Sequence, residues 1–256
     1  MSDKYNLKSD AITSRIDDAI RLCDQRQKPV CIGFLNECQI FNAKLYLDYI
    51  KGINCIFFGG YSGATRTFLG IFPYDMPISD SIFPIKVIQF KYRRIDKLTH
   101  RDFLGAIMAL GVTRDSIGDI LINDGNALVF AEQKIAEYIV GQISKIGSVG
   151  VNVRILDNLN QVNFDFTQNL EDKIYIVSSL RLDTITAAIT GLSRDKTAQL
   201  ILSSAVTLNY NINKNVSCNL KTGDLLSIRK TGKFIIGNIL GETKKNRIKI
   251  IISVYK

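Results

Sequence analysis

The order of secondary-structure patterns between residues 85 and 156 restricts the folds open to this chain more than any other feature. The predicted elements are a strand at 85–92, a helix at 99–111, strands at 117–122 and 127–131, a helix at 132–146 and a strand at 149–156. Thr99 and Asp102 have the spacing of a capping box, and Asn123-Asp124-Gly125-Asn126 is a strong hairpin signal. This βαββαβ order is that of a ferredoxin-like or RRM-like domain, a fold that serves many functions.

The residues before this segment predict an α/β region at 1–80. Its predicted elements are a helix at 12–23 capped by Ser9-Asp10, an irregular stretch at 33–36, a helix at 43–50, and strands at 53–58 and 67–72. The glycine-rich stretch 59–63 joins these strands. It lacks the spacing of a P-loop or of a dinucleotide motif, so it favours a tight turn over a phosphate cradle.

Composition limits the class of protein. Hydrophobic residues make up 46% of the 256 residues and charged residues 22%, which is typical of a globular chain. No apolar run approaches the roughly 20 residues that a membrane helix needs, and the first five residues lack the layout of a signal peptide. We therefore expect a cytoplasmic protein with no membrane partner. The five cysteines form no Cys-x-x-Cys pair, which favours reduced thiols over disulfides or a zinc site.

The net charge of +9 is confined to one end of the chain. Residues 1–180 carry 20 basic and 20 acidic side chains, whereas residues 181–256 carry 13 basic and 4 acidic ones. This asymmetry indicates a C-terminal module that binds a polyanion, with a solvated basic surface as the alternative. Charge alone does not distinguish RNA from DNA or from an acidic lipid surface.

Catalytic motifs are absent from the sequence. His100 is the single histidine, which excludes a site built from two histidines. The tripeptide His100-Arg101-Asp102 imitates the start of the kinase catalytic loop, but Ile107 stands where that motif needs asparagine. A role at the start of a helix fits His100 better than acid–base chemistry. We expect no catalytic residues, no metal and no cofactor.

The middle region also lacks the signature by which RRM domains stack RNA bases. Its third strand reads Ala127-Leu128-Val129-Phe130, without the basic-Gly-aromatic pattern that places rings under bases. Phe90 and Tyr92 on the first strand are candidates either for stacking on RNA or for packing. In both cases the region is not a standard reader of single-stranded RNA.

The C-terminal region carries the most specific pattern. It predicts a helix entered at 179–183 and ending near 189, a helix from 193 to 203, a strand at 206–209 and a closing segment at 220–228. This spacing resembles the S-four-type RNA-binding domain, also called the αL motif. We therefore predict an α+β chain with connector strands at 159–180 after the middle domain at 81–158, and an S-four-type domain with a basic tail at 181–256.

The resemblance, with the charge pattern, indicates a set of RNA-binding candidates. Arg181 and Arg194 match positions where the family contacts RNA, and guanidinium groups bind phosphate oxygens bidentately. Arginines at helix starts also pair with carboxylates such as Asp183 and Asp195, so that alternative stays open. The candidates are Arg181, Arg194, Lys196, Gln199, Asn209, Lys221, Arg229, Lys230 and Lys233.

Along most of its length the chain resembles the YlmH family. The matching motifs are Phe58-Gly59-Gly60-Tyr61 with Arg66, His100–Gly105, Leu110–Arg114, Ile117–Ile120 and Ser178–Asp183. The resemblance implies a non-enzymatic, monomeric protein that binds ribosomal RNA and tRNA on large ribosomal subunits obstructed by peptidyl-tRNA, while the nascent chain gains a tail. The alternatives are an RNA-binding protein associated with cell division and an RNA-modifying enzyme of the pseudouridine synthase type. The chain has no room for the catalytic domain of such an enzyme after the C-terminal module.

Overall fold

The computed structural model describes residues 11–162, 164, 166 and 170–255. The chain divides into two compact units, an N-terminal unit at 1–167 and a C-terminal unit at 168–256. Each unit has its own buried apolar residues, and each is described by itself.

Two helices and an antiparallel three-stranded sheet open the N-terminal unit. They are α1 (Ala11–Arg26), β1 (Val30–Leu35), α2 (Glu37–Ile50), β2 (Asn54–Phe58) and β3 (Thr67–Phe72), with sheet order β1-β3-β2. The stretch 33–36, predicted to be irregular, is the end of β1 followed by the N-cap of α2, and the pairing of β1 with β3 is irregular between Ile32 and Leu35. Gly33 interrupts the apolar pattern but lies within β1, where a Cβ would stand 3.2 Å from the carbonyl oxygen of Asp115. Asn36 then caps α2 through the backbone N–H of Gln39. The predicted cap Ser9-Asp10 lies outside the described residues.

The βαββαβ order predicted for residues 85–156 is present in the structure. Its elements are β4 (Ile85–Lys91), α3 (His100–Met108), β5 (Ile117–Asn123), β6 (Asn126–Glu132), α4 (Gln133–Gln142), the hairpin β7 (Lys145–Ile146) and β8 (Val149–Gly150), and β9 (Asn152–Leu156). The sheet is antiparallel with order β5-β6-β4-β9. Helix α4 ends earlier than predicted because Gly147, at a φ of +58°, turns the chain into the hairpin. Ile146 is nonetheless fully buried.

The two faces of this sheet have different partners. Helices α3 and α4 cover one face, over buried residues that include Phe90 and Val129. On the opposite face Phe130 belongs to an aromatic cluster with Phe34 and Phe68, whose ring centroids lie 4.5 Å apart. Because this cluster contains residues from both of the first two predicted domains, these domains share a core and form one unit.

A buried polar network also joins the two parts of the N-terminal unit. Asp119 is 6% exposed, and its carboxylate accepts hydrogen bonds from the Tyr61 hydroxyl (2.7 Å), from the N–H and hydroxyl of Thr65 (2.7 and 2.6 Å) and from the N–H of Arg66 (3.1 Å). The Arg66 guanidinium donates to three backbone carbonyls, including that of Phe34 at 3.0 Å. Burial lowers the pKa of Arg66 to about 10 and raises that of Tyr61.

The C-terminal unit is one antiparallel sheet with two helices. Its elements are β10 (Leu170–Val177), α5 (Leu182–Thr190), α6 (Arg194–Leu202), β11 (Val206–Leu208), β12 (Asn211–Ile212), β13 (Leu225–Ile228), β14 (Gly232–Glu242) and β15 (Ile248–Tyr255). The sheet order is β10-β15-β14-β13-β11-β12. The predictions of α5, α6 and β11 are confirmed.

The predicted limits of this unit need correction. Part of the stretch predicted as connector strands at 159–180 belongs to this unit. Strand β10 pairs with β15 along its whole length, from Leu170–Tyr255 to Val177–Ile248. The basic tail is not a tail either, since it contributes β14 and β15. Ile250 and Ile252 on β15 are fully buried, so the last residues of the chain complete the core.

Candidate nucleic-acid interface

Arg181 and Arg194 lie at the starts of the two helices of the C-terminal unit, as the sequence predicts. Arg181 occupies the N-cap position of α5, and Arg194 is the first residue of α6 after its N-cap Ser193. Gly191, with a φ of +70°, ends α5 in the left-handed conformation and allows the sharp turn between the helices. Both arginines therefore lie where the helix dipole favours anions.

The guanidinium group of Arg181 is engaged at its own helix start. Its Nε and Nη2 donate to the two carboxylate oxygens of Asp183 at 3.1 and 2.7 Å. The Asp183 side chain is 7% exposed and also accepts the backbone N–H of Thr184 at 2.8 Å. The hydrogen bonds from Arg181 are the main reason that the pKa of Asp183 is lowered. We call this pair the Arg181–Asp183 clasp, and it shows that the carboxylate-pairing alternative holds for Arg181.

Arg194 is exposed and lines an open cleft of about 370 Å³ in the C-terminal unit. Arg247, from the turn between β14 and β15, lines the same cleft. Its Nη2 donates to the carbonyl oxygen of Ile176 at 3.3 Å, which holds the guanidinium at the cleft. Two guanidinium groups on one cleft can bind phosphate oxygens. The sequence alone does not single out Arg247, although this residue ends the basic run Lys244-Lys245-Asn246-Arg247.

A second group of RNA-binding candidates, four of them basic, lies along α6 and at the turn between β13 and β14. Lys196 and Gln199 are exposed, and their spacing puts them on one face of the helix. Arg229 and Lys230 are exposed in the turn, whereas Lys233 is half-buried on β14. The N–H of Arg229 donates to the carbonyl of Ala205 at 2.9 Å, which ties this turn to the segment that follows α6.

The two remaining candidates differ in their surroundings. Lys221 is exposed in the turn that precedes β13. Asn209 has a left-handed backbone with a φ of +49°, and both ends of its amide are occupied. Its Nδ2 donates to Asp224 and its Oδ1 accepts from the N–H of Leu225, each at 2.9 Å. The structure thus gives Asn209 a turn-stabilising role.

The aromatic candidates of the middle region pack within the protein. Phe90 is fully buried, with its ring centroid 5.4 Å from that of Phe103 on α3. The ring of Tyr92 lies 5.8 Å from the same phenylalanine. Of the two alternatives for these residues, packing is therefore the one that the structure shows.

The kinase-like tripeptide forms a helix start. His100 is the first residue of α3, and Asp102 accepts hydrogen bonds from the N–H and the hydroxyl of Thr99, both at 2.7 Å. These bonds lower the pKa of Asp102 and confirm the predicted capping box. All five cysteines are free. Within the described part of the chain, no cluster of His, Cys, Asp or Glu is suited to hold a metal, and no helix is long and apolar enough to span a membrane.

The chain is similar to known proteins in sequence and in fold. Residues 79–160 match the family described as the putative RNA-binding domain in YlmH. The chain is 29% identical over 257 residues, which is 98% of both sequences, to the ribosome-associated protein quality control protein P2 of Bacillus subtilis (strain 168). In fold it is similar to the cell division protein ylmH from Streptococcus pneumoniae, with a TM-score of 0.55 and 17% identity over 64% of this chain and 99% of that one.

The family match falls on the four-stranded sheet, for which the sequence predicted no standard reader of single-stranded RNA, and not on the basic C-terminal unit. That sheet, its flanking helices and the near full-length similarity lead to one conclusion. This chain is similar to YlmH-type proteins along nearly its whole length, and its residues 79–160 match the putative RNA-binding domain in YlmH.

Proposed function

We propose that this protein binds ribosomal RNA and tRNA on the large ribosomal subunit and acts in the quality control of stalled ribosomes. The name of its Bacillus relative and the RNA-binding domain family support this role. The observation on this chain that carries the proposal is the cleft where Arg194 and Arg247 stand together. Subunits obstructed by peptidyl-tRNA present ribosomal RNA and tRNA side by side, and a monomer with several basic surfaces suits such a target.

The proposal includes two domain assignments. We assign the βαββαβ segment to an RRM-like domain, supported by its sheet order β5-β6-β4-β9. We assign α5, α6, β11 and β13 to an S-four-type domain, supported by the short turn between the helices and by the basic residues at the start of α6. In this domain RNA is held through its phosphates, because a double-stranded RNA helix hides its base edges in a deep, narrow groove.

Co-sedimentation with large ribosomal subunits over a salt series tests the proposal. Arg194→Ala combined with Lys196→Ala removes two exposed charges from the start of α6. We expect this variant to leave the subunits at lower salt than the parent, because each charge-assisted contact contributes on the order of 1–3 kcal/mol. The matched control is Lys134→Ala with Lys145→Ala, which removes two exposed charges from α4 and β7.

Equal retention of the α6 variant and the control at every salt concentration would show that the start of α6 is not the RNA contact. The same assay distinguishes the cell-division alternative, which predicts that the parent protein does not associate with subunits at all. Arg181→Ala is unsuitable here, because it leaves the buried Asp183 carboxylate without its partner.

We propose binding without turnover. Asp102 and Asp183 are the carboxylates that could be mistaken for catalytic groups. Both accept hydrogen bonds that stabilise a helix start, Asp102 from Thr99 and Asp183 from Arg181. Incubation with excess RNA followed by nucleoside analysis should yield no modified nucleosides. A modification that disappears in His100→Ala, Asp102→Ala or Asp183→Ala would instead favour the enzyme of pseudouridine synthase type.

A further inference from the structure

The aromatic cluster covers only part of its face of the four-stranded sheet. Where β4 and β6 approach the cluster, Val87, Leu128 and Phe130 pack into it. At the other end of the same face the side chains are polar. Cross-strand pairs place Lys91 between Asn126 and Asn152, and Gln89 beside Arg154. We call these five residues, Gln89, Lys91, Asn126, Asn152 and Arg154, the polar half-face.

A buried amide orients the arginine of the polar half-face. Gln89 is 2% exposed, and its Oε1 accepts a hydrogen bond from Nε of Arg154 at 2.8 Å. Its Nε2 donates to Oδ1 of Asn126 at 3.1 Å. Arg154 as a whole is exposed, as are Lys91 and Asn152. The guanidinium is thus held at Nε from below while the residue faces solvent, and such preorganisation lowers the entropy cost of binding.

The chemistry of the polar half-face fits RNA. Two cations and three amides match phosphate oxygens, 2′-hydroxyls and base edges. The polar half-face contains no aromatic ring, since Phe90 is buried on the helix-covered face and Phe130 lies in the aromatic cluster. Splayed single-stranded bases need such rings, whereas the wide minor groove of double-helical RNA is contacted through its backbone.

We propose that the polar half-face is a second RNA-binding surface, which contacts the sugar–phosphate backbone of double-helical RNA. This inference rests on the proposed function, in that it takes RNA as the ligand. It names the surface by which residues 79–160 bind RNA even though the net positive charge of the chain lies beyond residue 180. An acidic protein surface is the other partner that two cations suit, but a row of amides adds little to its recognition.

The test uses the full-length protein and Lys91→Ala combined with Arg154→Ala. The matched control is again Lys134→Ala with Lys145→Ala, because these lysines lie on α4 and β7, outside the polar half-face. Fluorescence anisotropy is measured over a salt series with a fluorescein-labelled RNA hairpin whose stem is about 16 base pairs long. An oligouridine of equal length serves as the single-stranded probe.

We expect the polar half-face variant to bind the hairpin at least about tenfold more weakly than the control, with a log–log salt slope smaller by about 1.4–1.8 for two lost phosphate contacts. Binding of oligouridine should fall less. Equal affinity of variant and control for the hairpin would overturn the proposal, and so would an equal loss of affinity for both probes. If the double variant is unfolded by circular dichroism, Lys91→Gln alone, at an exposed position, decides through the same salt slope.

The same measurement in an Arg194→Ala/Lys196→Ala background separates the two proposals. Failure of the proposed function appears as absence of the parent protein from the sedimented large subunits. Failure of the polar half-face appears as an unchanged hairpin slope when Lys91 and Arg154 are replaced in that background.

Discussion

Asp119→Asn should break much of the buried hydrogen-bond network of the N-terminal unit, although the two side chains have almost the same shape. The Asp119 carboxylate accepts four hydrogen bonds, two at each oxygen. An asparagine side chain offers one acceptor oxygen, and its NH₂ group would face one backbone N–H and one hydroxyl in place of the second oxygen. The hydroxyl can turn to accept a hydrogen bond, but the N–H cannot. In one orientation the opposed N–H is that of Thr65, beside the Tyr61 hydroxyl, and in the other it is that of Arg66, beside the Thr65 hydroxyl.

The magnitude follows from those lost contacts. A hydrogen bond to a charged group contributes about 1.5–3 kcal/mol, so losing the one from this N–H costs about that much, and the remaining bonds lose their charge assistance. A domain is stabilised by about 5–15 kcal/mol in total, so Asp119→Asn should remove a substantial part of the stability of the N-terminal unit. Asp115→Asn, four residues away, is the matched control. The Asp115 side chain is 59% exposed and lies 3.9 Å from Arg15, so we expect a change below about 1 kcal/mol.

Hydrogen–deuterium exchange read by mass spectrometry is the suitable assay, because a chain with two units need not unfold in one step. Protection should fall across β3, β5 and β6 in Asp119→Asn and remain at the parent level in β14 and β15. A loss below about 1 kcal/mol would refute the claim that the network stabilises this unit. A loss spread evenly over both units would refute its confinement to the N-terminal unit.

Three further predictions concern the C-terminal unit. Arg181→Ala should destabilise it by about 1–3 kcal/mol in urea, because the buried Asp183 acceptor loses its partner, whereas Arg181→Lys should cost less. The folded-state pKa of Asp183 is below its ordinary 3.8, so the clasp stabilises the unit above that pH and loses its contribution as the pH falls through the lowered value. Thermal melts below pH 4 should therefore show a smaller acid loss for Asp183→Asn than for the parent. Arg247→Ala should weaken co-sedimentation with large subunits about as much as Arg194→Ala does, whereas the exposed Lys173→Ala should leave it unchanged.

The elements that the sequence predicts well are those with local signals. The Thr99–Asp102 capping box, the end of α5 near residue 189 and the turn at 123–126 depend on residues within a few positions of one another, and each is present in the structure. The residue types alone predict these turns and helix ends, because glycine is favoured at positive φ and short polar side chains are favoured at helix starts.

The elements that the sequence predicts poorly depend on pairing across long distances. The sequence predicts a connector where β10 lies and a tail where β15 lies, because these two strands pair with each other from far apart in the chain. Arg247 is not predicted for the same reason: it lies at the cleft of Arg194 only because the turn between β14 and β15 brings it there. The partner of Arg181 is a different case, because its pair with Asp183 is local and the sequence leaves both that pair and an RNA contact open.

The separation of net charge from the family's RNA-binding domain has a physical consequence. A C-terminal unit with excess charge attracts RNA through counterion release, which is strong, dependent on salt and insensitive to sequence. A region with balanced charge binds RNA only where its few cations are oriented, as Gln89 orients Arg154. If both proposals hold, the C-terminal arginines set most of the affinity, and the polar half-face sets which helical shape is accepted. Replacing Lys91 and Arg154 should then reduce discrimination between the hairpin and oligouridine, whereas replacing Arg194 and Lys196 should lower both affinities by a similar factor.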